Sequence, residues 1–272
     1  MVAAAKMRRA QEQVLATRSY ANKAWAVLHN LASQPAANQT LHPLLETRTQ
    51  VRALDLILIT SDRGLCGAYN QNIIRAAVQF MQKANVQVRV VAVGRRGRDF
   101  MLRYRRNVIA EFTDLPPHPG LLDVTAIARM VMDDFLRGDV DEVYLAYTDF
   151  INTLSQKPVI RQLLPMRPLT VKVGEEHAHA PLTGEYIYEP DPVTILGTVL
   201  PRFTELQVYQ AVLEALASEH SARMVAMRNA TENAQDLLSS LRLTYNQARQ
   251  SSITKEMLEI ASGAEALRMS ER

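Results

Sequence analysis

Neither proline nor glycine occurs at the two ends of this chain, from Met1 to Gln34 and from Arg202 to Ser262, whereas both are frequent between them. Since an α-helix rises about 1.5 Å per residue, an unbroken helix over Arg202–Ser262 would be roughly 90 Å long. A compact chain of this size has a radius of gyration of only about 18 to 19 Å. We therefore expect the C-terminal helix to extend beyond a globular body.

Both ends also carry the alternating four- and three-residue spacing that is typical of a left-handed coiled coil. The C-terminal positions are Tyr209, Leu213, Leu216, His220, Arg223, Met227, Ala230, Ala234, Leu237, Leu241, Tyr245 and Ala248, and the N-terminal positions are Met7, Ala10, Val14, Thr17, Ala21, Ala24, Leu28 and Leu31. We predict that the two segments form an antiparallel intramolecular pair. Polar residues at some of these positions would weaken a simple two-helix pair, so they favour a third protein surface that surrounds part of it. The alternative is two long helices that fold in pieces over a core.

The middle of the chain alternates apolar runs with helical stretches, which indicates an α/β domain with a mainly parallel sheet. The predicted strands are Leu54–Ile59, Val86–Val93, Asn107–Glu111 and Glu142–Tyr147, and the predicted helices are Tyr69–Lys83, Arg96–Tyr104 and Leu121–Arg137, the last with Asp123 as N-cap. Thr153–Leu164 is predicted to be extended, and Gly174–Pro192 to be a loop with a short strand at Tyr186–Tyr188. We predict an N-terminal coiled-coil helix (1–34), a Rossmann-like α/β domain (50–192) and a C-terminal coiled-coil helix (202–268).

The composition limits the class of protein further. Hydrophobic residues make up 47% and charged residues 22% of the chain, as in ordinary globular proteins. Cys66 is the only cysteine, so an internal disulfide and a cysteine zinc cluster are excluded, and a cytosol-facing protein is expected. The longest apolar runs are far below the roughly 20 residues of a membrane span. The basic, Ala-rich start resembles a transit peptide, but it is not Ser-rich and its helical pattern continues through Glu12.

Candidate sites in the α/β domain each have a simpler structural interpretation. The turn Ser61–Gly67 (SDRGLCG) has two glycines but neither the dinucleotide nor the Walker fingerprint. It could hold a phosphate at a helix N-terminus, but we expect a structural turn, in which Asp62 and Arg63 form a local ion pair or contact another subunit. Cys66 is expected to be buried and structural. His177 and His179 could bind a metal, but loop histidines are more often solvated.

The stretch Gly94–Arg106 (GRRGRDFMLRYRR) contains six arginines and one aspartate. Basic residues interleaved with aromatic ones are typical of nucleic-acid binding. This gives an alternative function, a coiled-coil nucleic-acid-binding module. A solvated helix face or a contact with an acidic partner explains the same residues, and the net charge of +3 is too small to indicate nucleic acid.

Several segments together resemble the γ subunit of F-type ATP synthase. They are SDRGLCGAYNQNI after the first strand, FINTLSQKPVIRQLLP at Phe150–Pro165, YIYEPDP at Tyr186–Pro192, and the C-terminal blocks ASEHSARMVAMRNATENA and LTYNQARQSSITKEMLEIASGAEAL. The resemblance covers essentially the whole chain in order. Members of that family usually have further residues before the position that Met1 matches, which leaves a misassigned start codon or a truncated chain open.

The resemblance implies a central rotor stalk: an antiparallel coiled coil inside an α3β3 hexamer, with an α/β foot on the c-ring beside ε. Ion flow would turn the c-ring, and the asymmetric shaft would drive the β subunits through their conformations. Catalytic residues would belong to α and β, so no catalytic residue, cofactor or metal is expected here. Nucleic acid is not an expected partner, and membrane contact would occur only through the c-ring, at the cytoplasmic face of the bacterial cell membrane.

Four groups of residues take roles from the resemblance. Arg249, Gln250, Thr254 and Glu256 match the polar segment that meets the β catch loop and the neighbouring hexamer surface. Lys6, Arg8 and Arg9 match the basic part of the N-terminal helix, near the acidic lever of β. Tyr186, Tyr188 and Glu189 match the foot segment that touches the c-ring, and Arg223 and Met227 are assigned to shaft packing. A single cysteine cannot form the dithiol switch of the chloroplast branch, so thiol gating is not expected.

Overall fold

The computed structural model describes residues 42–153, 155–166 and 192–270. These residues divide into two units, with the boundary between Val225 and Ala226. In chain order the elements are a 3-10 turn Pro43–Leu45, β1 Ala53–Ile59, α1 Tyr69–Lys83, β2 Gln87–Val93, α2 Arg95–Arg103, β3 Val108–Phe112, α3 Leu121–Arg137, β4 Glu142–Phe150, β5 Gln156–Leu164 and α4 Pro192–Ser270.

The strands form one sheet in the order β3-β2-β1-β4-β5. The first four strands are parallel, and β5 pairs antiparallel with β4. In the centre of the sheet Leu56 lies opposite Val90 on one side and Tyr144 on the other. The mixed α/β class with a mainly parallel sheet, predicted from the sequence, is confirmed.

Helices cover both faces of this sheet. Since successive strand residues point to opposite faces, Ile57 packs with residues of α3 and α4 in one buried cluster. Leu56 and Leu58 pack with residues of α1 and α2 in a second cluster. This burial on both faces is the reason why LDLILI reads as a continuous apolar run.

The elements predicted from Leu54 to Leu164 agree with the structure to within a few residues, but one capping role is wrong. The predicted loop with its short strand at Tyr186–Tyr188 lies outside the described residues. Helix α3 begins after Gly120, which is its N-cap. Asp123 lies one turn inside the helix, where its Oδ2 accepts a hydrogen bond from the backbone N–H of Gly120 at 2.7 Å. An acidic side chain in the first helical turn can therefore complete the cap without being the N-cap residue.

Helix α4 contains the predicted continuous helix Arg202–Ser262, but it begins ten residues earlier, at Pro192, and runs through Pro201. An interior proline costs about 3 kcal/mol, because it removes a backbone hydrogen bond and crowds the preceding turn. Around this position Leu196, Leu200 and Phe203 are buried in the core beneath the sheet. Each such side chain contributes about 1.5 to 3 kcal/mol, so burial outweighs the local cost.

The second unit is the remainder of α4. Its residues 227–266 are all exposed, and its exposed large apolar side chains include Leu237, Leu241, Tyr245, Ile253, Met257 and Leu258. Ion pairs one turn apart, Arg228–Glu232 at 3.0 Å and Lys255–Glu259 at 3.9 Å, lie on the same helix. Residues 1–34, and with them the predicted coiled-coil pairing, lie outside the described part of the chain, and the predicted division into three domains stays a prediction.

Candidate functional site

The edge of the sheet where its parallel strands end is the expected place for a ligand in an α/β domain. Ligands of such folds bind between two neighbouring strands whose connections leave toward opposite sides of the sheet. The connection after β1 leads to β2, on one side of β1, and β4 lies on the other side. The expected point therefore lies between β1 and β4. Helix α4 occupies this edge. Its contacts therefore decide whether a crevice is open.

Hydroxyl groups join α4 to the ends of the neighbouring elements at this edge. The Tyr69 hydroxyl, at the start of α1, donates to the carbonyl of Ala215 at 3.1 Å. The Ser218 hydroxyl donates to the carbonyl of Thr148 in β4, also at 3.1 Å. Burial raises the pKa of Tyr69 well above its ordinary value, so the phenol keeps its proton and remains a donor.

The next turn of α4 is held in the same way. The Ser221 hydroxyl donates to the carbonyl of Thr153 at 2.5 Å, just after β4. On another side of the helix, Arg223 donates to Glu219 at 2.6 Å and to the carbonyl of Gly64 at 3.4 Å. Burial raises the pKa of Glu219, and the charge and hydrogen bond of Arg223 oppose that shift.

A small cavity lies at this edge, among the described residues. It has a volume of about 40 Å³ and is lined by residues that include Thr60, Tyr69, Gly94 and Glu219. This is room for about one water molecule, whereas small-molecule sites have volumes of about 300 to 1,000 Å³. A nucleotide does not fit there.

The turn Ser61–Gly67 has the structural role expected of it, but not through the expected ion pair. Asp62 does not pair with Arg63; its carboxylate accepts backbone N–H groups of Arg95 at 3.0 Å and Asp114 at 3.2 Å. Gly67 has φ of +57°, a conformation that glycine adopts without strain. The predicted burial of Cys66 is confirmed at 2% exposure.

A larger hollow, of about 580 Å³, opens at the opposite edge of the sheet. Two of the charged groups in its lining pair with each other, since Arg48 donates to Asp141 at 2.9 Å. Arg48 also donates to the carbonyl of Phe135 at 2.7 Å. Asp141 also accepts the backbone N–H of Arg52 at 2.6 Å. These contacts tie the segment before β1 to the end of α3, so they have a structural explanation.

The arginine-rich stretch is partly neutralised by neighbouring acids. Arg95 pairs with Asp114 at 2.5 Å, and Arg98 pairs with Asp99 at 2.8 Å. The stretch is therefore less cationic than its composition indicates. This weakens the interpretation of Gly94–Arg106 as a nucleic-acid surface.

The coiled-coil positions predicted in α4 have two different surroundings. Within the larger unit, the Tyr209 hydroxyl donates to the carbonyl of Pro119 at 3.2 Å, Leu213 packs with Phe150, and Arg223 contacts Gly64. The polar side chain of Arg223 thus has hydrogen-bond partners inside this chain. From residue 227 onward the positions are exposed.

The four C-terminal residues suggested by the resemblance lie on the exposed part of α4. Thr254 donates its hydroxyl to the carbonyl of Gln250, four residues earlier, at 2.8 Å. Arg249 and Glu256 are seven residues apart and lie on the same side of the helix. Lys6, Arg8, Arg9, Tyr186, Tyr188 and Glu189, together with His177 and His179, lie outside the described residues.

Comparison with known proteins identifies the family. The sequence profile described as ATP synthase matches residues 1–267. The chain is 49% identical over 267 residues to an ATP synthase gamma chain of Dehalococcoides mccartyi, covering 98% of this chain and 91% of the relative. It is 50% identical over 270 residues to that of Roseiflexus castenholzii, covering 98% and 90%. This chain belongs to the ATP synthase γ-chain family.

Solved structures share the fold. A chain in a cryo-EM structure of the Euglena gracilis mitochondrial ATP synthase (OSCP/F1/c-ring) matches with a TM-score of 0.61 at 24% identity, covering 99% of this chain and 97% of that one. A chain of the central stalk and c-ring structure from Tetrahymena thermophila matches with a TM-score of 0.56 at 21% identity, covering 85% and 100%. Together with the family membership, which carries the conclusion, the γ-chain interpretation is favoured over the nucleic-acid module.

The sequence did not single out Tyr69, Ser218 and Ser221, the residues that attach α4 to the sheet domain. Both serines occur in ASEHSAR, a segment that carried the resemblance. A signal was present in their spacing, because small polar residues three apart lie on one side of a helix. Which carbonyl each hydroxyl reaches depends on the tertiary structure.

Proposed function

We propose that this chain is the central rotor shaft of an F-type ATP synthase. It couples ion-driven rotation of a c-ring to the conformational cycle of catalytic β subunits, in the direction of ATP synthesis or, reversibly, of hydrolysis. Family membership supports this role. The observation that carries it is the run of exposed residues 227–266 on a continuous helix, because helices depend mainly on tertiary packing for stability and exposed apolar surface marks a binding partner.

The partners proposed for that surface are residues 1–34 of the same chain and the inner surface of an α3β3 hexamer. An antiparallel coiled coil with the N-terminal segment would cover one side of α4, and the hexamer would surround the pair. The ε subunit and the c-ring are proposed to meet the α/β domain. The complex would lie at the cytoplasmic face of the bacterial membrane; among the described residues, no helix has an apolar stretch of the length needed to cross a bilayer.

Specific contacts are proposed for the residues taken from the resemblance. Arg249, Gln250, Thr254 and Glu256 would meet the β catch loop and the hexamer surface. They are exposed, and they are polar, as a shaft that turns inside a sleeve requires, because a deep hydrophobic anchor would hold one angle.

Two further groups are proposed to contact the neighbouring subunits. Lys6, Arg8 and Arg9 would approach the acidic lever of β. Exposed ion pairs contribute about 0.2 to 1 kcal/mol each, so single losses should be tolerated. Tyr186, Tyr188 and Glu189 would touch the polar loops of the c-ring.

The α/β domain has a mechanical role in this proposal. Its ligand edge is occupied by α4, through bonds such as that from Ser218 to Thr148, so the fold serves as a rigid attachment rather than as a nucleotide site. The chemistry of ATP would take place on α and β. This chain would transmit rotation without reacting.

Co-expression with α and β tests the proposal. The chain should co-purify with them at moderate salt, and their ATPase activity should depend on it. Leu241→Pro should abolish ion-driven synthesis, since an interior proline costs about 3 kcal/mol or more, whereas Leu241→Met, which keeps the helix, should not. ATPase activity that is the same with and without the chain would contradict the proposal, and salt-sensitive binding to nucleic acid instead of α and β would favour the alternative.

A further inference from the structure

The hydrogen bonds between α4 and the sheet domain come from different sides of the helix. Ser218 and Ser221 reach the carbonyls of Thr148 and Thr153, at the end of β4 and just beyond it. Arg223 reaches the carbonyl of Gly64, in the loop that follows β1. At 3.6 residues per turn, the two serines lie about 140° to 160° around the helix from Arg223.

This arrangement resists rotation of the helix about its own axis in both directions. A side-chain group lies about 5 Å from the helix axis, so a turn of 30° moves it by about 2.6 Å. Such a displacement breaks a hydrogen bond, which depends on distance and angle. Apolar contacts are non-directional and resist such a rotation less. The buried side chains of Ala215 and Ala217 are too small to interlock with their neighbours.

We infer that the hydroxyls of Tyr69, Ser218 and Ser221, opposed by Arg223 on the other side of the helix, form a torque clamp, which prevents α4 from slipping against the sheet domain under load. Both serines are fully buried, and Tyr69 donates to the carbonyl of Ala215, one turn before them. The clamp positions the shaft and takes no part in chemistry. This inference rests on the proposed function, because only a rotating shaft carries a load.

The test uses the whole ATP synthase, assembled with this chain and reconstituted into vesicles. Two variants remove clamp hydroxyls with little change in side-chain volume. The first is a double variant that combines Ser218→Ala and Ser221→Ala, and the second is Tyr69→Phe. Thr198→Ala is the matched control, because Thr198 is exposed on the same helix and its hydroxyl donates to the carbonyl of Thr194 within that helix. ATP hydrolysis and gradient-driven ATP synthesis are measured on the same preparation.

The clamp predicts that the double variant keeps its hydrolysis rate while synthesis falls at least about fivefold, as expected for the loss of at least one hydrogen bond. Tyr69→Phe should show a smaller loss of the same kind, and Thr198→Ala none. Hydrogen exchange on the free full-length chain should be faster at residues 215–223 in the clamp variants. A merely structural role would lower hydrolysis and synthesis together.

Two results would overturn the clamp alone. One is unchanged synthesis in the double variant, and the other is parallel loss of hydrolysis, synthesis and assembly while Thr198→Ala behaves normally. Failure of the unmodified chain to assemble with α and β would overturn the proposed function, and the clamp with it. The two failures are therefore distinguishable.

Discussion

Arg89 neutralises a carboxylate that is completely buried, so its removal should strongly destabilise the sheet domain. Arg89 in β2 donates to both oxygens of Asp55 in β1, at 2.8 and 3.1 Å. It also pairs with Asp134 of α3, which has a second partner in Arg137. The Asp55 side chain is 0% exposed and that of Arg89 is 18% exposed. In the variant Arg89→Met, Asp55 therefore loses its counter-charge.

The expected loss in free energy of unfolding is about 3 to 5 kcal/mol, the cost of leaving a buried charge without its partner. This is a large part of the about 5 to 15 kcal/mol that stabilises a typical domain. Replacing Asp55 by valine in the same chain should restore most of the loss, because an apolar pair leaves no buried charge. Arg75→Met, on the exposed side of α1, should change stability by less than about 0.5 kcal/mol.

The destabilisation caused by Arg89→Met should also depend on pH, and the direction of this dependence follows from the pKa of Asp55. Burial raises its pKa, and Arg89 opposes the shift. Between the ordinary pKa of about 3.9 and the raised folded value, the folded state binds more protons than the unfolded state, so stability falls as the pH rises. Without Arg89 the folded pKa rises further. The loss should therefore be largest at alkaline pH and shrink on acidification.

Hydrogen exchange of the slowest amides of β1 measures this free energy in the full chain. It should be compared at pH 8 and pH 5.5 for the unmodified chain, Arg89→Met and the double variant. A loss below about 1 kcal/mol at pH 8, on the scale of an exposed ion pair, would refute the reasoning. So would a loss that grows on acidification, or no recovery in the double variant.

Three further outcomes follow from the structure. Gly94→Ala should lower the free energy of unfolding, measured by urea denaturation, by about 2 to 4 kcal/mol. The reason is that Gly94 has φ of +94° and that a Cβ there would lie 2.3 Å from the carbonyl oxygen of Thr60. In the control Gly197→Ala the added Cβ meets nothing within 4 Å, so this change should stabilise the chain by up to about 1 kcal/mol. Burial raises the pKa of Asp141, but its hydrogen bonds lower it by more, so the pKa lies below the ordinary value. Asp141→Asn should therefore lower the free energy of unfolding by about 1 to 2 kcal/mol at neutral pH. This difference should disappear as the pH falls through the pKa of Asp141 in the folded chain. Cys66 is buried, so a thiol reagent should label it slowly in the folded chain and rapidly in urea.

The sheet could be predicted because its strands have local signals. LDLILI and the runs that follow it are apolar, bounded by turns and separated by helical stretches, so their order along the chain gives a parallel α/β sheet. The start of α4 could not be predicted, because Pro201 has the local character of a helix boundary. The burial of Leu200 and Phe203 outweighs that signal, and burial is a property of the folded chain.

The candidate site was predictable only in part, for a related reason. The C-terminal polar residues, such as Gln250, were found through the resemblance, and their roles stay predictions. The pairing of Asp62 with Arg63 followed from adjacency in sequence, yet Asp62 bonds to backbone groups of Arg95 and Asp114. Residues far apart in sequence meet at this edge of the sheet, and no local pattern specifies which of them do.

The covering of this edge of the sheet and the attachment of α4 have the same structural cause. In an α/β fold the strands end at an edge whose loops present backbone groups to a ligand. Here the carbonyls of Gly64, Thr148 and Thr153 accept hydrogen bonds from α4 instead. If the clamp serines are replaced by alanine, the carbonyls of Thr148 and Thr153 lose the serine hydroxyls. The edge stays covered, since Arg223 still contacts Gly64 and Leu213 still packs on Phe150. The variants should therefore bind no nucleotide, which equilibrium dialysis with ATP can check, and a gain of binding would show that hydrogen bonds rather than packing close the edge.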